Sequence, residues 1–367
     1  MHILILMKKI THISIRHTPF DTRIFHKECK TLVKNGFDVS FIVPNNYDEV
    51  VDDIKIIGLK KYGSKLLKLS INIFSIIFKA VKLNSDIYHI HDPELIPIGL
   101  ILKLKGKKII YDAHEDHPKD VFEKKWPAPL KVFASVYFLF LEKIAYLTFN
   151  YIIAATQHIS TKFPNNKTIL IRNLPLLNLI DESNTKNLEI KVPIVIYQGG
   201  IIELRGIKQI IQSMDHVSIA CELWLFGKWD ESFRKECLKL KGWNKTRYNG
   251  IVSQEELYGF DKQATIGIIN YLDSPNNKDS LPNKPFEYMA CSLPMIMSDF
   301  SHWRAMFHNC ALLVNPENPE EIADKINILL KDKKLREKLG KNGRELVEKE
   351  YNWEKESKKL LEIYKEL

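Results

Sequence analysis

Cysteine is scarce in this 367-residue chain: Cys29, Cys221, Cys237, Cys291 and Cys310 stand far apart, with no C-x-x-C spacing. That pattern excludes a disulfide framework and a zinc ribbon, and it fits a reduced compartment such as the cytoplasm. Glycine (15 residues) and proline (16) are few and aperiodic, which excludes collagen-like and fibrous classes. Long apolar runs are missing too. Leu66–Leu83 is broken by Lys68, Lys79 and Lys82, and Leu130–Phe149 by Lys131, Glu142 and Lys143. Neither supplies the ~20 apolar residues of a transmembrane helix. Apolar Met1–Met7 runs straight into Lys8-Lys9 and a strand pattern, so no secretory signal is expected.

What is present is ordinary globular material, 45% hydrophobic and 27% charged, in a length that predicts two domains. Disorder is excluded, because there is enough apolar residue for two cores. The formal charge of +9 is unevenly spread. Residues 1–175 carry 26 Lys/Arg and 16 Asp/Glu, a net of +10, whereas residues 176–367 carry 28 and 29, a net of −1. An anionic partner is therefore expected for the first half only: a membrane surface, a nucleic acid or a phosphorylated substrate.

Short apolar strands alternate with helical patterns. In the first half, strands are expected at Ile10–Ile15, Asp38–Val43, Asp86–Ile90, Lys108–Tyr111, Ile152–Ala155 and Thr168–Ile171. Helices are expected over Arg23–Lys34, stopped by Gly36, and over Leu95–Leu104. Periodicity fails between Arg172 and Val192, which reads as a linker. A second series follows, with strands at Pro193–Tyr197, Glu222–Phe226, Ile266–Ile269 and Pro294–Met297. Its helices are expected at Ile207–Met214, Pro285–Cys291, Pro319–Leu330, Lys334–Glu348 and Glu354–Glu366. The pattern predicts an α/β chain of two doubly wound halves with parallel sheets. Ligands of such sheets bind beyond the carboxyl ends of the strands, so chemistry is sought in those loops.

The loop Arg16–Arg23 offers Asp21 or Thr22 as a helix cap, and a helix start that, with Arg23, can receive an anion. His89 and His91 share one face at a strand end, yet Asp92-Pro93 reads as a helix cap with Pro at N1, and no metal is expected. The loop Asp112-Ala113-His114-Glu115-Asp116-His117-Pro118 is dense in groups that bond sugar hydroxyls or move protons near neutral pH. In the second half, Gly199-Gly200 to Arg205-Gly206 follows a strand and opens a helix, a setting for a diphosphate, although it matches neither a P-loop nor G-x-G-x-x-G. Asp279 and Glu287 form a D-x7-E around Asn283-Lys284-Pro285. One carboxylate there can bond sugar hydroxyls and the other a ribose diol.

Together these residues resemble the retaining GT-B glycosyltransferases of family 4. The resemblance is carried by His17–Phe25 with Lys27-Glu28, by His89–Leu95, and by Tyr111–Asp116. It continues through Tyr197–Gly200 with Arg205-Gly206, Asn249-Gly250, Asn283–Ala290 and Tyr351-Asn352-Trp353. It implies two Rossmann-like domains facing across a cleft: residues 1–175 on the acceptor side and 176–351 holding a nucleotide diphosphate sugar. A last helix, about 352–367, would cross back to the first domain. The family's E-x7-E falls on Asp279 and Glu287, with Glu287 holding the ribose and Asp279 facing the transferred sugar. Gly199, Gly200 and Arg205 would meet the diphosphate. Ile201 stands where the family often has a basic residue, a contact Lys284 would supply, and the backbone near Ile251 would meet the base. The family's N-domain histidine falls best on His114, with Asp21, Arg23, His91 and Glu115 also on the acceptor side. The implied reaction is sugar transfer with retained configuration, with no metal or other cofactor. Positive side chains would stabilise the leaving diphosphate, and the leaving phosphate would help deprotonate the acceptor. No carboxylate is placed as a covalent nucleophile.

Relatives with these motifs often build surface polysaccharides on lipid diphosphate carriers, so a glycan or lipid-linked acceptor is expected. Lys60, Lys61, Lys65, Lys68, Lys79 and Lys82 flank one apolar helix; Lys124, Lys125, Trp126 and Lys131 begin another. Basic and aromatic residues beside apolar ones suit peripheral contact with an anionic membrane at its inner face. An NDP-sugar 2-epimerase of the same fold is the alternative, and it would convert the sugar without acceptor. A nucleic-acid-binding protein is disfavoured by the absence of RRM, KH or helix-turn-helix signatures and by Asp112, Glu115, Asp116, Asp279 and Glu287.

Overall fold

The structure is a computed structural model that describes residues 7–60, 65–124, 126–184, 190–274, 277 and 280–367. Asp279, Lys61 and Lys125 lie outside the described residues. The chain divides into two units, residues 1–173 with 355–367, and residues 174–354.

The sheet of the first unit contains β1 (Lys9–Ile13), β2 (Asp38–Pro44), β3 (Glu49–Val51), β4 (Ile54–Leu59), β5 (Ile87–Ile90), β6 (Lys108–Ala113), β7 (Tyr151–Ala154) and β8 (Thr168–Leu170). Their order is β3-β4-β2-β1-β5-β6-β7-β8, parallel throughout except that β3 runs antiparallel to β4. This hairpin is not legible as alternating apolar residues. Its turn is Asp52-Asp53, both with positive φ (50° and 60°), the twist that a tight hairpin needs. The apolar cluster beneath one face holds Ile13, Ile90, Tyr111 and Ile152 from the strands. Packed on it are α1 (Lys65–Leu83), α2 (Ile96–Leu104) and α3 (Ala128–Thr148), with α2 lying against both α1 and α3.

The expected helix Arg23–Lys34 is present in two parts. Thr22–Cys29 winds wide, with His26 N–H reaching five residues back to the Asp21 carbonyl (3.2 Å), and Lys30–Lys34 is α-helical. The wide turns bury Arg23, Lys27 and Glu28 against the sheet.

The second unit has β9 (Ile194–Gln198), β10 (Glu222–Phe226), β11 (Thr246–Tyr248), β12 (Ile266–Ile269), β13 (Met295–Ser298) and β14 (Ala311–Val314), all parallel in the order β11-β10-β9-β12-β13-β14. Around it lie α4 (Ile207–His216), α5 (Gln254–Asp261), α6 (Lys284–Ala290), α7 (Pro319–Lys331) and α8 (Lys333–Lys349). Part of the expected linker is folded here instead. Leu177–Glu182 is helical, Ile180 is fully buried, and Arg344 binds the Asp181 carboxylate at 2.7 and 2.9 Å. The apolar run Leu176-Leu177-Asn178-Leu179-Ile180 outweighs the polar residues after it.

The final helix, α9 (Trp353–Glu366), belongs to the first unit from Lys355 onward. Leu360, Ile363 and Tyr364 are buried there. Glu356 accepts from Arg172 through Nε (3.0 Å) and the backbone N–H (3.0 Å).

Candidate functional site

In the second unit the loops after β9 and β10 run back to back. Gly199 and Gly227 both take φ of 133°, and a Cβ on Gly227 would stand 1.8 Å from the Gly199 carbonyl oxygen. Only glycine fits there, and the loop backbone is left bare of side chains. Lys284 reaches this backbone: a Cβ on Gly199 would lie 2.7 Å from its Cε. The Arg205 guanidinium stacks on the Tyr271 ring, 3.7 Å from its centroid, a geometry that fixes a planar cation beside the loop. Gly206 is the N-cap of α4 and has no side chain with which to cap its first N–H groups.

Glu287 sits in the first turn of α6, 7% exposed. Gln254 Nε2 donates to its Oε1 (3.1 Å), whereas its buried Oε2 has no hydrogen-bond partner among the described residues. A buried carboxylate oxygen left orphaned is an acceptor held ready for a hydroxyl. Gln254 is itself held at the start of α5 by the reciprocal cap of Ser253 and Glu256. Behind Glu287, Gln198 Nε2 donates to Asp261 (2.8 Å), whose carboxyl is pushed well up by burial and by Glu287. Ile251, expected near a base, is 72% exposed. Beyond β12 to β14 opens a cavity of about 680 Å³ lined by Asp273, Asp299, His302, Asn315 and Glu317. Its carboxylates suit hydroxyl donors rather than phosphates.

In the first unit, strand register gathers the histidines. His12 pairs with His89, and β5 pairs with β6 so that His91 and Asp112 follow on the same face. His12 Nδ1 lies 2.9 Å from His91 Nε2, and His91 Nδ1 lies 3.0 Å from His114 Nε2. Burial lowers His12 and His89 well below the usual histidine range, and His91 to about 4. Burial would raise the Asp112 carboxyl, but Arg23 and His114 hold it well below the ordinary value.

Arg23 is not available to an anion, contrary to the expectation from its place at a helix start. It is buried, donates from Nε and Nη2 to Asp112 at 3.0 Å each, and lies 3.0 Å from Glu28. Asp21 does cap the helix, accepting from the N–H groups of Arg23 and Ile24 (2.9 Å each), and is bound by His17 (2.9 Å). Asp92 does not cap with its side chain. It accepts instead from Ser14 Oγ (2.8 Å) and Ile15 N–H (2.7 Å), fixing the loop after β1. Glu115 is exposed, and His114 is 14% exposed at the end of the histidine row. His12, Glu28, His89 and His91 offer atoms within 4.8 Å of one another that could ligate a metal.

Residues 180–346 match the family described as Glycosyl transferases group 1. The match lies within the second unit. Over 161 residues the chain is 26% identical to N,N'-diacetylbacillosaminyl-diphospho-undecaprenol alpha-1,3-N-acetylgalactosaminyltransferase of Campylobacter jejuni, covering 43% of this chain and 41% of that protein. It is 23% identical over 175 residues to an uncharacterized glycosyltransferase of Methanocaldococcus jannaschii, covering 47% and 48%. The matched stretches therefore span less than half of these relatives. Among solved structures, the sucrose-phosphate synthase of Thermosynechococcus elongatus is similar at TM-score 0.77 and 20% identity, with 98% of each chain covered. HepE of Anabaena in complex with UDP-glucose is similar at 0.75 and 13%, with 98% and 100% covered. The fold is GT-B.

The second unit brings Gly199 and Lys284 together and carries Arg205 and Glu287 in the loops and helix starts that follow its strands. Two partners were not legible in the sequence. Gln254 is 33 residues from Glu287, and Tyr271 is an apolar strand neighbour until its ring is seen beneath Arg205.

Proposed function

We propose that the protein transfers a sugar from a nucleotide diphosphate sugar to a glycan or lipid-linked acceptor, with retained configuration and without a metal or other cofactor. The observation that carries the donor half is the buried Oε2 of Glu287, which has no hydrogen-bond partner among the described residues, three residues after Lys284 on α6, with Arg205 stacked on Tyr271 in the same unit. Glu287 would take the ribose hydroxyls, the two cations and the bare Gly199-Gly200 backbone the diphosphate, and the backbone at Ile251 the base. Asp279 would face the transferred sugar. In the first unit, His114 would meet a sugar hydroxyl, with Asp21, His91 and Glu115 around the acceptor side and Arg23 bracing Asp112 beneath them. HepE was solved with UDP and with UDP-glucose, and an E. coli neighbour with UDP-2-fluoro glucose, which supports a nucleotide-sugar donor. Thermal melting with UDP, GDP, ADP and their sugars tests this. A shift with one nucleotide family is expected, and no shift with any refutes the donor site. Nucleotide release that depends on added acceptor separates transfer from epimerisation.

The acceptor half rests on an exposed apolar surface. α3 presents Leu130, Phe133, Val136, Phe140 and Leu147 to solvent, with Phe133 71% and Phe140 60% exposed. Phe74 and Phe78 of α1 and Leu104 of α2 are exposed on the helices beside it. Among the described side chains these three helices carry Lys79, Lys82, Lys103, Lys131 and Lys143 against a single acid, Glu142, which is buried and bound by Lys162 at 3.1 Å. Such a face fits the interface of an anionic leaflet, where each lysine contributes about 1 kcal/mol. No helix among the described residues is long and apolar enough to cross a membrane. The Campylobacter relative is named for a diphospho-undecaprenol-linked sugar, in keeping with an acceptor at the cytoplasmic membrane surface. Flotation with anionic liposomes is expected to carry the protein up. A Phe133→Glu/Phe140→Glu double variant should stay at the bottom with its nucleotide shift intact. Equal recovery of both proteins refutes the surface.

A further inference from the structure

Five side chains of the first unit form one hydrogen-bonded row that ends at His114. Tyr364 Oη lies 2.7 Å from His89 Nδ1 and 3.4 Å from His12 Nε2. His12 Nδ1 meets His91 Nε2 at 2.9 Å, and His91 Nδ1 meets His114 Nε2 at 3.0 Å. The rings are stacked as well as bonded: His12 and His91 have centroids 5.2 Å apart at 17°. Tyr364, His12, His89 and His91 are all buried, and only His114 reaches solvent.

Burial keeps His12, His89 and His91 neutral at ordinary pH, so each carries one N–H. The row can then run in two directions. In one, every Nε2 from His12 to His114 holds the proton. In the other, His12, His91 and His114 all hold it on Nδ1. The bonds within the row do not choose between them.

Asp112 does choose. Its carboxylate only accepts, Arg23 fixes it from two nitrogens, and its Oδ2 stands nearer to His114 Nε2 (3.2 Å) than to His91 Nδ1 (3.6 Å). One of these two nitrogens must turn a lone pair toward the carboxylate, and the nearer one gains more from holding the proton. The proton therefore belongs on His114 Nε2, shared between Asp112 and His91 Nδ1. His91 then donates through Nε2 to His12, His12 through Nε2 to Tyr364, and Tyr364 through its hydroxyl to His89.

We propose that Asp112, His91, His12 and Tyr364 are positioning residues that hold His114 in the Nε2–H tautomer and present its Nδ1 unprotonated, as a hydrogen-bond acceptor for a substrate hydroxyl. The identity of that hydroxyl as a sugar's rests on the glycosyltransferase reading. The tautomer does not. The arrangement also ties the surface histidine to α9, whose Tyr364 closes the far end of the row. The same logic, in which a buried carboxylate sets which nitrogen of a histidine is free, governs known catalytic histidines, where loss of the correct tautomer is costly.

The test is long-range ¹H–¹⁵N correlation on the full chain labelled with ¹⁵N-histidine, at pH 7.5 and without nucleotide. His114 is assigned by its loss in His114→Gln. Expected is an unprotonated Nδ1 and a protonated Nε2 at His114, His91 and His12. The opposite tautomer at His114 overturns the proposal. Asp112→Asn should release the tautomer to a mixture. Because that variant disturbs Arg23 and can fail to fold, Tyr364→Phe is the second: it should shift the signals of His12 and His89, and unchanged signals overturn the row. Elemental analysis is run on the same sample, since a stoichiometric metal on His12 Nδ1 and His91 Nε2 would replace their hydrogen bond and overturn it as well. In turnover, His91→Phe should lower kcat about tenfold or more with the donor KM unchanged. An unchanged kcat refutes the positioning role. Failure of nucleotide to bind would refute the glycosyltransferase reading and leave the tautomer result standing.

Discussion

Glu287→Gln separates binding from folding, because the two effects have opposite signs. Among the described residues the Oε2 of Glu287 is buried without a hydrogen-bond partner, and an orphaned buried acceptor costs about 1–3 kcal/mol. Exchanging the carboxylate for an amide of the same size removes that buried charge. The ligand-free variant is therefore expected to melt no lower than the parent. Binding responds the other way. A hydrogen bond to a charged acceptor contributes about 1.5–3 kcal/mol, and Gln254 already holds the other oxygen, so Oε2 is the atom that a ribose hydroxyl gains. A loss of about 2 kcal/mol raises the dissociation constant about 30-fold. At nucleotide equal to 100 times the parent's dissociation constant, ligand stabilisation falls from about 2.7 to about 0.9 kcal/mol. Melting with and without nucleotide reads both terms in one plate, and calorimetry gives the affinity directly. A variant that keeps the full nucleotide shift refutes the ribose role. A variant that melts far lower without ligand refutes the account of Oε2 as a strained, waiting acceptor.

Other outcomes follow from the same geometry. Gly227→Ala places a Cβ 1.8 Å from the Gly199 carbonyl at φ 133° and should cost at least about 3 kcal/mol, whereas Gly250→Ala, at φ 77° with nothing within 4 Å, should cost only about 1–2; equal costs by chemical denaturation would contradict the back-to-back loops. His91, at about 4 when folded and near 6.5 when unfolded, stabilises above pH 6.5 and loses that contribution as pH falls toward 4. His12 and His89 act in the same direction, while Glu28, pushed up by burial, acts in the opposite one. Net destabilisation of the first unit between pH 6.5 and 4 is expected in urea titrations, and flat stability across that window would contradict the neutral cluster. Glu356→Ala strips Arg172 of its buried partner and should cost about 3 kcal/mol, with α9 the first segment to gain hydrogen exchange; an unchanged exchange pattern would contradict its role in docking that helix.

The legible parts of this molecule are those in which one chain segment carries its own signal. Apolar runs of four or five residues located most strands of both sheets, since buried parallel strands need apolar residues on both faces. Glycines after β9 and a carboxylate in the first turn of α6 were visible for the same local reason. What escaped depends on pairing between distant segments. Arg23 reads as a cation at a helix start, and only the sheet register brings Asp112, 89 residues away, against it. The β3–β4 hairpin hides because Asp52-Asp53 makes its turn with backbone angles that sequence composition does not announce. The histidines show the limit most clearly. Alternation predicts that His89 and His91 share a face, but their chemistry is decided by His12 on one neighbouring strand, Asp112 on the other and Tyr364 at the far end of the chain. A pair that stands out in the sequence by its spacing thus joins a row of buried rings, whose direction the proposal above assigns to a single buried carboxylate.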